Sequence, residues 1–170
     1  SCSNASATSP IMTTDEASAV AAATRFARIM AGPTADSDEY LNQMQSIAAD
    51  EWMDRAEELA QNGVEFVVDR YGDGGMVEFQ PLRYRVRSYS EEAAVIDIWG
   101  VVVGSGPKLG GIEDSWITGS VSIVWEGSEW KVSGQSSKGG PTPELLQTEE
   151  EETVEEVLSE FKEYSDALDS

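Results

Sequence analysis

From Trp116 to Gly140 the chain runs W-I-T-G-S-V-S-I-V-W-E-G-S-E-W-K-V-S-G-Q-S-S-K-G-G, and this stretch constrains the fold more than any other. Ile117, Gly119, Val121, Ile123 and Trp125 alternate with Thr118, Ser120, Ser122 and Val124. That period of two sends successive side chains to opposite faces of a strand. Glu126-Gly127-Ser128-Glu129 supplies a turn and Trp130-Lys131-Val132-Ser133-Gly134 returns, so the pattern predicts a β-hairpin. Trp125 and Trp130 flank the turn and are placed to pair across it, a contact worth about 0.2–1 kcal/mol. Both are read as sheet packing.

The sequence before the hairpin changes period part-way. Thr13 and Glu16 are spaced as a capping box that opens a first helix, with Val20, Ala23, Ala27 and Met30 on one face, Phe26 beside them, and Gly32-Pro33 at its end. Asp36 or Ser37 caps a second helix with a stripe of Tyr40, Met44, Ile47 and Ala48. Asp50 caps a third that turns Trp52, Met53, Ala56, Leu59 and Ala60 inward and ends at Asn62-Gly63 in the manner of a left-handed C-cap.

From Val64 the pattern predicts strands: 64–70, then a turn over Tyr71–Gly75, then Met76–Gln80, with Pro81 breaking or bulging the ladder before Leu82–Tyr89. In that last strand Leu82, Tyr84 and Val86 share one face while Arg83, Arg85 and Arg87 share the other. This cationic stripe is either a solvated face paired with carboxylates such as Asp97, or a docking stripe for an acidic partner or ligand. Ala93–Val103 is the most apolar strand and is expected at the centre of the sheet. Gly104–Ile112 is a glycine-rich connection without the G-K-[ST] of a P-loop.

Past Pro143, a last helix is expected to be capped by Thr148 and to bury one stripe of Val154, Val157, Leu158, Phe161, Tyr164 and Leu168. Residues 144–170 hold eleven acidic residues against one lysine. The stripe either docks on its own domain or is offered to a partner chain. The organisation is therefore a linker over 1–12, a domain over 13–143 and an acidic amphipathic helix over 144–170.

Charge and composition remove whole classes of function. The net charge is -21, which excludes a nucleic-acid surface built from clustered Lys and Arg and disfavours contact with anionic membranes. There is no histidine, so the usual general base and commonest metal ligand are missing, and the one cysteine, Cys2, allows no internal disulfide. Neither a metal nor a cofactor is implied. Asp69, Glu78 and Asp97 are the acids that an enzyme reading has to use, and each lies where an exposed strand carboxylate is the ordinary expectation.

Helices over Thr13–Asn62, strands from Val64 and the W-E-G-S-E-W-K-V hairpin at Trp125–Val132 resemble the NTF2-like fold. That resemblance implies an α+β cone, with three N-terminal helices packed on a curved antiparallel sheet and the acidic C-terminal helix added. Within such a cone Tyr40, Trp52, Trp99 and Trp116 are candidate pocket-lining residues, although core packing accounts for them as well. A-A-V-I-D-I-W-G at Ala93–Gly100, S-W-I-T at Ser115–Thr118 and W-K-V-S-G-Q-S-S-K-G-G-P-T-P at Trp130–Pro143 are similar to secreted or membrane-anchored actinobacterial proteins of conjugative elements. Their extracytoplasmic domains are of the VirB8 and TcpC type.

Ser1-Cys2-Ser3, followed by a small polar run to Pro10, resembles the cleavage region of a bacterial lipoprotein, with Cys2 as the lipidated residue. A chain trimmed after a membrane anchor, or an ordinary tail, reads the same way. The resemblance implies a non-enzymatic, extracytoplasmic assembly domain anchored to the cell envelope. Such a domain has a protein partner or self-associates, and the interaction stripe is Arg83, Arg85 and Arg87 with Phe161 and Tyr164. The alternative is a small-ligand-binding protein that uses the cone.

Overall fold

Asp15 sets the start of the first helix. Its carboxylate accepts from the Ser18 N–H at 2.7 Å, capping α1 (Glu16–Met30) two residues later than the Thr13 box predicts. The computed structural model describes residues 14–143 and 158–164. Thr13, the expected linker over 1–12 and the expected helical residues 144–157 and 165–170 lie outside them. After α1 come α2 (Ser37–Ile47), capped by Asp36, a 3₁₀ turn (Asp50–Trp52) and α3 (Met53–Tyr71). The strands are β1 (Met76–Tyr89), β2 (Ala93–Ser105), β3 (Ile112–Glu126), β4 (Glu129–Gly139) and β5 (Lys162–Glu163).

The third helix corrects the sequence reading. It does not stop at Asn62-Gly63, and residues 64–70 are helical rather than a strand. Ala56, Ala60, Val67 and Tyr71 are buried at helical spacing along one face, and that burial outweighs the β-propensity of the Val-Phe-Val-Val run. Gly63 serves close approach instead of a cap. A Cβ there would lie 3.0 Å from the Tyr40 ring and 3.1 Å from the Pro33 side chain.

Among the described residues the strands pair antiparallel in the order β4-β3-β2-β1-β5, so β2 is central as its apolar run predicts. Pro81 lies in one continuous strand, and the ladder slips between Pro81 and Arg83 and again between Val86 and Ser88. Such bulges bend the strand. The β3–β4 hairpin forms as its alternation predicts, with Trp125 opposite Trp130 and their rings edge-to-face at 5.3 Å. The inner face of the sheet meets the helices through Ile96, Ile98, Val121, Ile123, Trp130 and Val132. Against them pack Val20, Ala23 and Phe26 of α1, Tyr40, Met44 and Ile47 of α2, and Ala56 and Ala60 of α3. Three helices on an open antiparallel sheet make this an α+β, NTF2-like architecture.

The C-terminal segment departs from expectation as well. Lys162–Glu163 is extended and pairs with the edge of β1, Glu163 opposite Arg83 and Lys162 opposite Tyr84, so no helix runs on through Tyr164. On a helix Phe161 and Tyr164 would share a face. Here Phe161 packs with Trp99, while Tyr164 reaches the helix side, where its hydroxyl meets the Thr24 hydroxyl at 3.0 Å and its ring lies 5.0 Å from that of Tyr84.

Candidate functional site

The outer face of the sheet, turned away from the helices, carries the polar pattern. Strand register puts Arg83, Trp99, Thr118 and Lys138 in one row across β1 to β4, and Arg85, Asp97, Ser120 and Ser136 in the next. Asp97 is buried between Ile96 and Ile98 in sequence, with its carboxylate on this face. Arg85 donates two bonds to Asp97 Oδ2, from Nε at 3.1 Å and Nη2 at 2.5 Å, and Arg87 Nη1 stands 3.7 Å from Oδ1. Asp97 thus fixes the direction of Arg85, while its Oδ1 has no hydrogen-bond partner among the described residues and faces Arg87 only at ion-pair distance. Arg85, Arg87 and Lys138 line a cleft of about 220 Å³ with Thr118, Ser136 and Asp97, three cations to one carboxylate among the described residues. Such a concave cationic surface in an acidic chain favours carboxylates.

Beside this cleft lies an aromatic platform. Trp99 and Trp116 stack at 4.9 Å with 26° between ring planes, and Trp99 Nε1 donates to the Pro141 carbonyl at 2.8 Å. Leu158 and Phe161 bury themselves on this pair. The segment that brings them also brings acids: Arg85 Nη1 donates to Glu160 at 3.0 Å, and Arg83 stands 3.7 Å from Glu163. The Arg85 guanidinium lies 4.8 Å from the centroid of the Phe161 ring. The arginine stripe thus pairs with Asp97 and with acidic side chains of its own chain, Glu160 and Glu163.

The inner side holds a second feature, a cavity of about 380 Å³ where the helices part from the sheet. Met30, Phe66, Val77, Phe79 and Ile117 give it apolar walls, and Gln135 and Ser137 supply polar groups. The expected pocket-lining residues do not line it. Tyr40 and Trp52 are in the main core, and Trp99 and Trp116 are on the opposite side of the sheet. Tyr40 donates to the Met30 carbonyl at 2.6 Å, and burial pushes its phenol pKa up. Phe161 and Tyr164, expected on an interaction stripe, are packed against their own sheet, and burial pushes the Tyr164 phenol up to about 12. None of the three candidate acids lines the cavity: Asp69 is exposed on α3, Glu78 is exposed on β1, and Asp97 belongs to the outer face.

Sequence reasoning missed Lys138 and the Glu113 cluster. Counting back from the Glu126–Glu129 turn puts Lys138 opposite Ile117, on the inner face. A bulge between Val132 and Gly134 shifts it to Thr118 and the outer face. Glu113 accepts from Arg70 Nη2 at 2.7 Å and from the Tyr71 hydroxyl at 2.6 Å, and Arg70 Nε also bonds it. Hydrogen bonds from Arg70, then Tyr71, hold its pKa down at about 2. Only with Arg70 and Tyr71 on the last turn of α3, rather than in a strand and a turn, does this tie become visible.

The sequence over residues 14–153 matches the family described as "Domain of unknown function (DUF8175)". The chain belongs to the DUF8175 family. No curated protein matches it. The fold of this DUF8175 chain is similar to that of an IcmL-like type IV secretion system protein from Legionella pneumophila, with a TM-score of 0.61 at 11% identity over 76% of this chain and 96% of that one. It is similar also to VirB8 of Agrobacterium tumefaciens, with a TM-score of 0.54 at 15% identity over 79% and 99%. CagV of Helicobacter pylori, a VirB8 homolog of its type IV secretion system, gives a TM-score of 0.54 at 11% identity over 72% and 98%. At these identities the likeness is one of fold. It supports the NTF2-like architecture of the DUF8175 domain.

Proposed function

We propose that this DUF8175 domain is a non-enzymatic, extracytoplasmic assembly domain that works by protein contact in a type IV secretion or conjugative transfer apparatus of an actinobacterium. The observation that carries the reading is the fold likeness to three solved proteins, each described as a VirB8 or type IV secretion component. The outer face of the sheet, with Arg83, Arg85 and Arg87, is the contact surface. Phe161 packs the C-terminal segment onto it while Tyr164 holds the same segment on the helix side, and the domain is 13–143 with 144–170 as its acidic C-terminal extension. Cys2 is a lipid attachment point that ties the domain to the cell envelope through the linker that follows it. Affinity capture of the full-length protein from its own envelope should recover a component of the transfer apparatus. Recovery of none, with the protein folded and at its native level, contradicts the reading. Replacing Cys2 with Ser should move the protein from the membrane to the soluble fraction; an unchanged distribution removes the lipoprotein part alone.

The inner cavity supports a second reading, a small-ligand-binding protein. Gly119 points into it from β3, and a Cβ built there meets only the Ser136 carbonyl, at 4.0 Å. A glycine on the inner face of a strand leaves volume that a side chain would fill. Gly119→Val should therefore fill part of the cavity and remove any ligand seen by native mass spectrometry of protein purified from its host. A ligand retained by Gly119→Val places binding elsewhere.

A further inference from the structure

The C-terminal segment is seated on the contact surface in a way that reads as a stand-in for a partner. It adds a strand to β1, puts Glu160 on Arg85 and Glu163 near Arg83, sets Phe161 on Trp99 and sends Tyr164 around the edge to the helix side. This is an acid–aromatic–any–acid–aromatic pattern read by an added strand, with ladder bonds giving affinity and alternate side chains giving choice. β1 is 14 residues long, and among the described residues β5 pairs with two of them. Glu160 and Glu163 keep 73% and 82% of their side-chain surface exposed, so their ion pairs are weak and screened by salt. Further along the same face, Arg87 and Lys138 line the cleft, and among the described residues Asp97 is the one carboxylate that lines it with them.

We infer that the edge of β1 and the outer face beside it bind an extended segment of a partner protein, with acidic side chains flanking an aromatic one, and that residues 158–164 hold the site until such a segment displaces them. A longer strand that continues along β1 past Arg85 reaches Arg87, and so makes more ladder bonds and one more charge contact than β5 does. The partner's being a protein rests on the assembly reading above. The chemistry of the site rests on the residues seated in it.

The probe is a labelled synthetic peptide of residues 158–164, Leu-Ser-Glu-Phe-Lys-Glu-Tyr, titrated into the full chain and followed by fluorescence polarisation. Phe161→Ala in the protein loosens the resident segment, and Glu160→Lys with Glu163→Lys does so through exposed side chains alone. Both proteins should bind the peptide about tenfold or more tighter than the unaltered chain, which carries a tethered competitor at high effective concentration. Adding Arg83→Glu should reverse that gain, and raising salt from about 50 to about 500 mM should weaken binding. Equal binding to all proteins, or none to the two loosened ones while circular dichroism shows them folded, overturns the inference. Either result leaves the assembly reading to its own capture experiment. Peptide binding without any captured transfer component sinks the assembly reading and keeps the site.

Discussion

Asp97 sits in the central strand between two isoleucines, with its carboxylate buried and turned to the outer face. A buried carboxylate is tolerated only when it is bonded and paired, and Arg85 supplies both. Replacing it leaves a guanidinium without its main partner on a half-buried face, a loss of about 1–3 kcal/mol. Asp97→Ala should therefore lower the urea midpoint by a corresponding amount and release Arg85 from its fixed direction. An unchanged midpoint would mean that water serves Arg85 as well as Asp97 does. Glu113 makes the other residue-scale prediction. Its folded pKa is about 2 against an ordinary 4.5, a depression, so its stabilising effect is complete above pH 4.5 and is lost as pH falls toward 2. The Tm difference between the unaltered chain and Glu113→Gln should be constant near neutrality and shrink steadily as pH falls from about 4.5 through about 2. A difference that does not change with pH contradicts the charged tie to Arg70.

Among the elements, the hairpin and β2 were legible because alternation and a tight turn leave little choice of register near the turn. The first two helices were legible from their buried stripes, and the second from its capping Asp36 as well, whereas the cap of the first is Asp15 rather than Thr13. α3 was legible only to its middle, since its second half is written in β-branched residues and its commitment to helix comes from Val67 and Tyr71 packing at a distance. The outer face was half legible. The Arg83, Arg85 and Arg87 alternation could be read, whereas Lys138 was concealed by a bulge and β5 by its resemblance to a helical stripe. β1 bends where Gly100 faces Pro81, and a Cβ on Gly100 would stand 2.1 Å from the Gln80 carbonyl oxygen. That atom is backbone and cannot step aside. Gly100→Ala should therefore cost about 1–3 kcal/mol in chemical denaturation, and a neutral result would show that the β1–β2 ladder relaxes freely there.

At the scale of the whole molecule, a chain of net charge -21 gathers three arginines and a lysine on one side of its sheet and spends part of its acidic C-terminus covering them. The helices and the inner face make the core; the outer face is left for contact. Because the domain has an acidic surface elsewhere, an acidic partner is repelled until it meets this patch, which favours one docking orientation over others. The most direct test is site-specific photo-crosslinking in cells that produce the full-length protein, with the crosslinker at Lys138 on the outer face or at Glu65 on the exposed side of α3. An adduct with a component of the transfer apparatus from Lys138, and none from Glu65, is the predicted result. Adducts from Glu65 with none from Lys138 would contradict it.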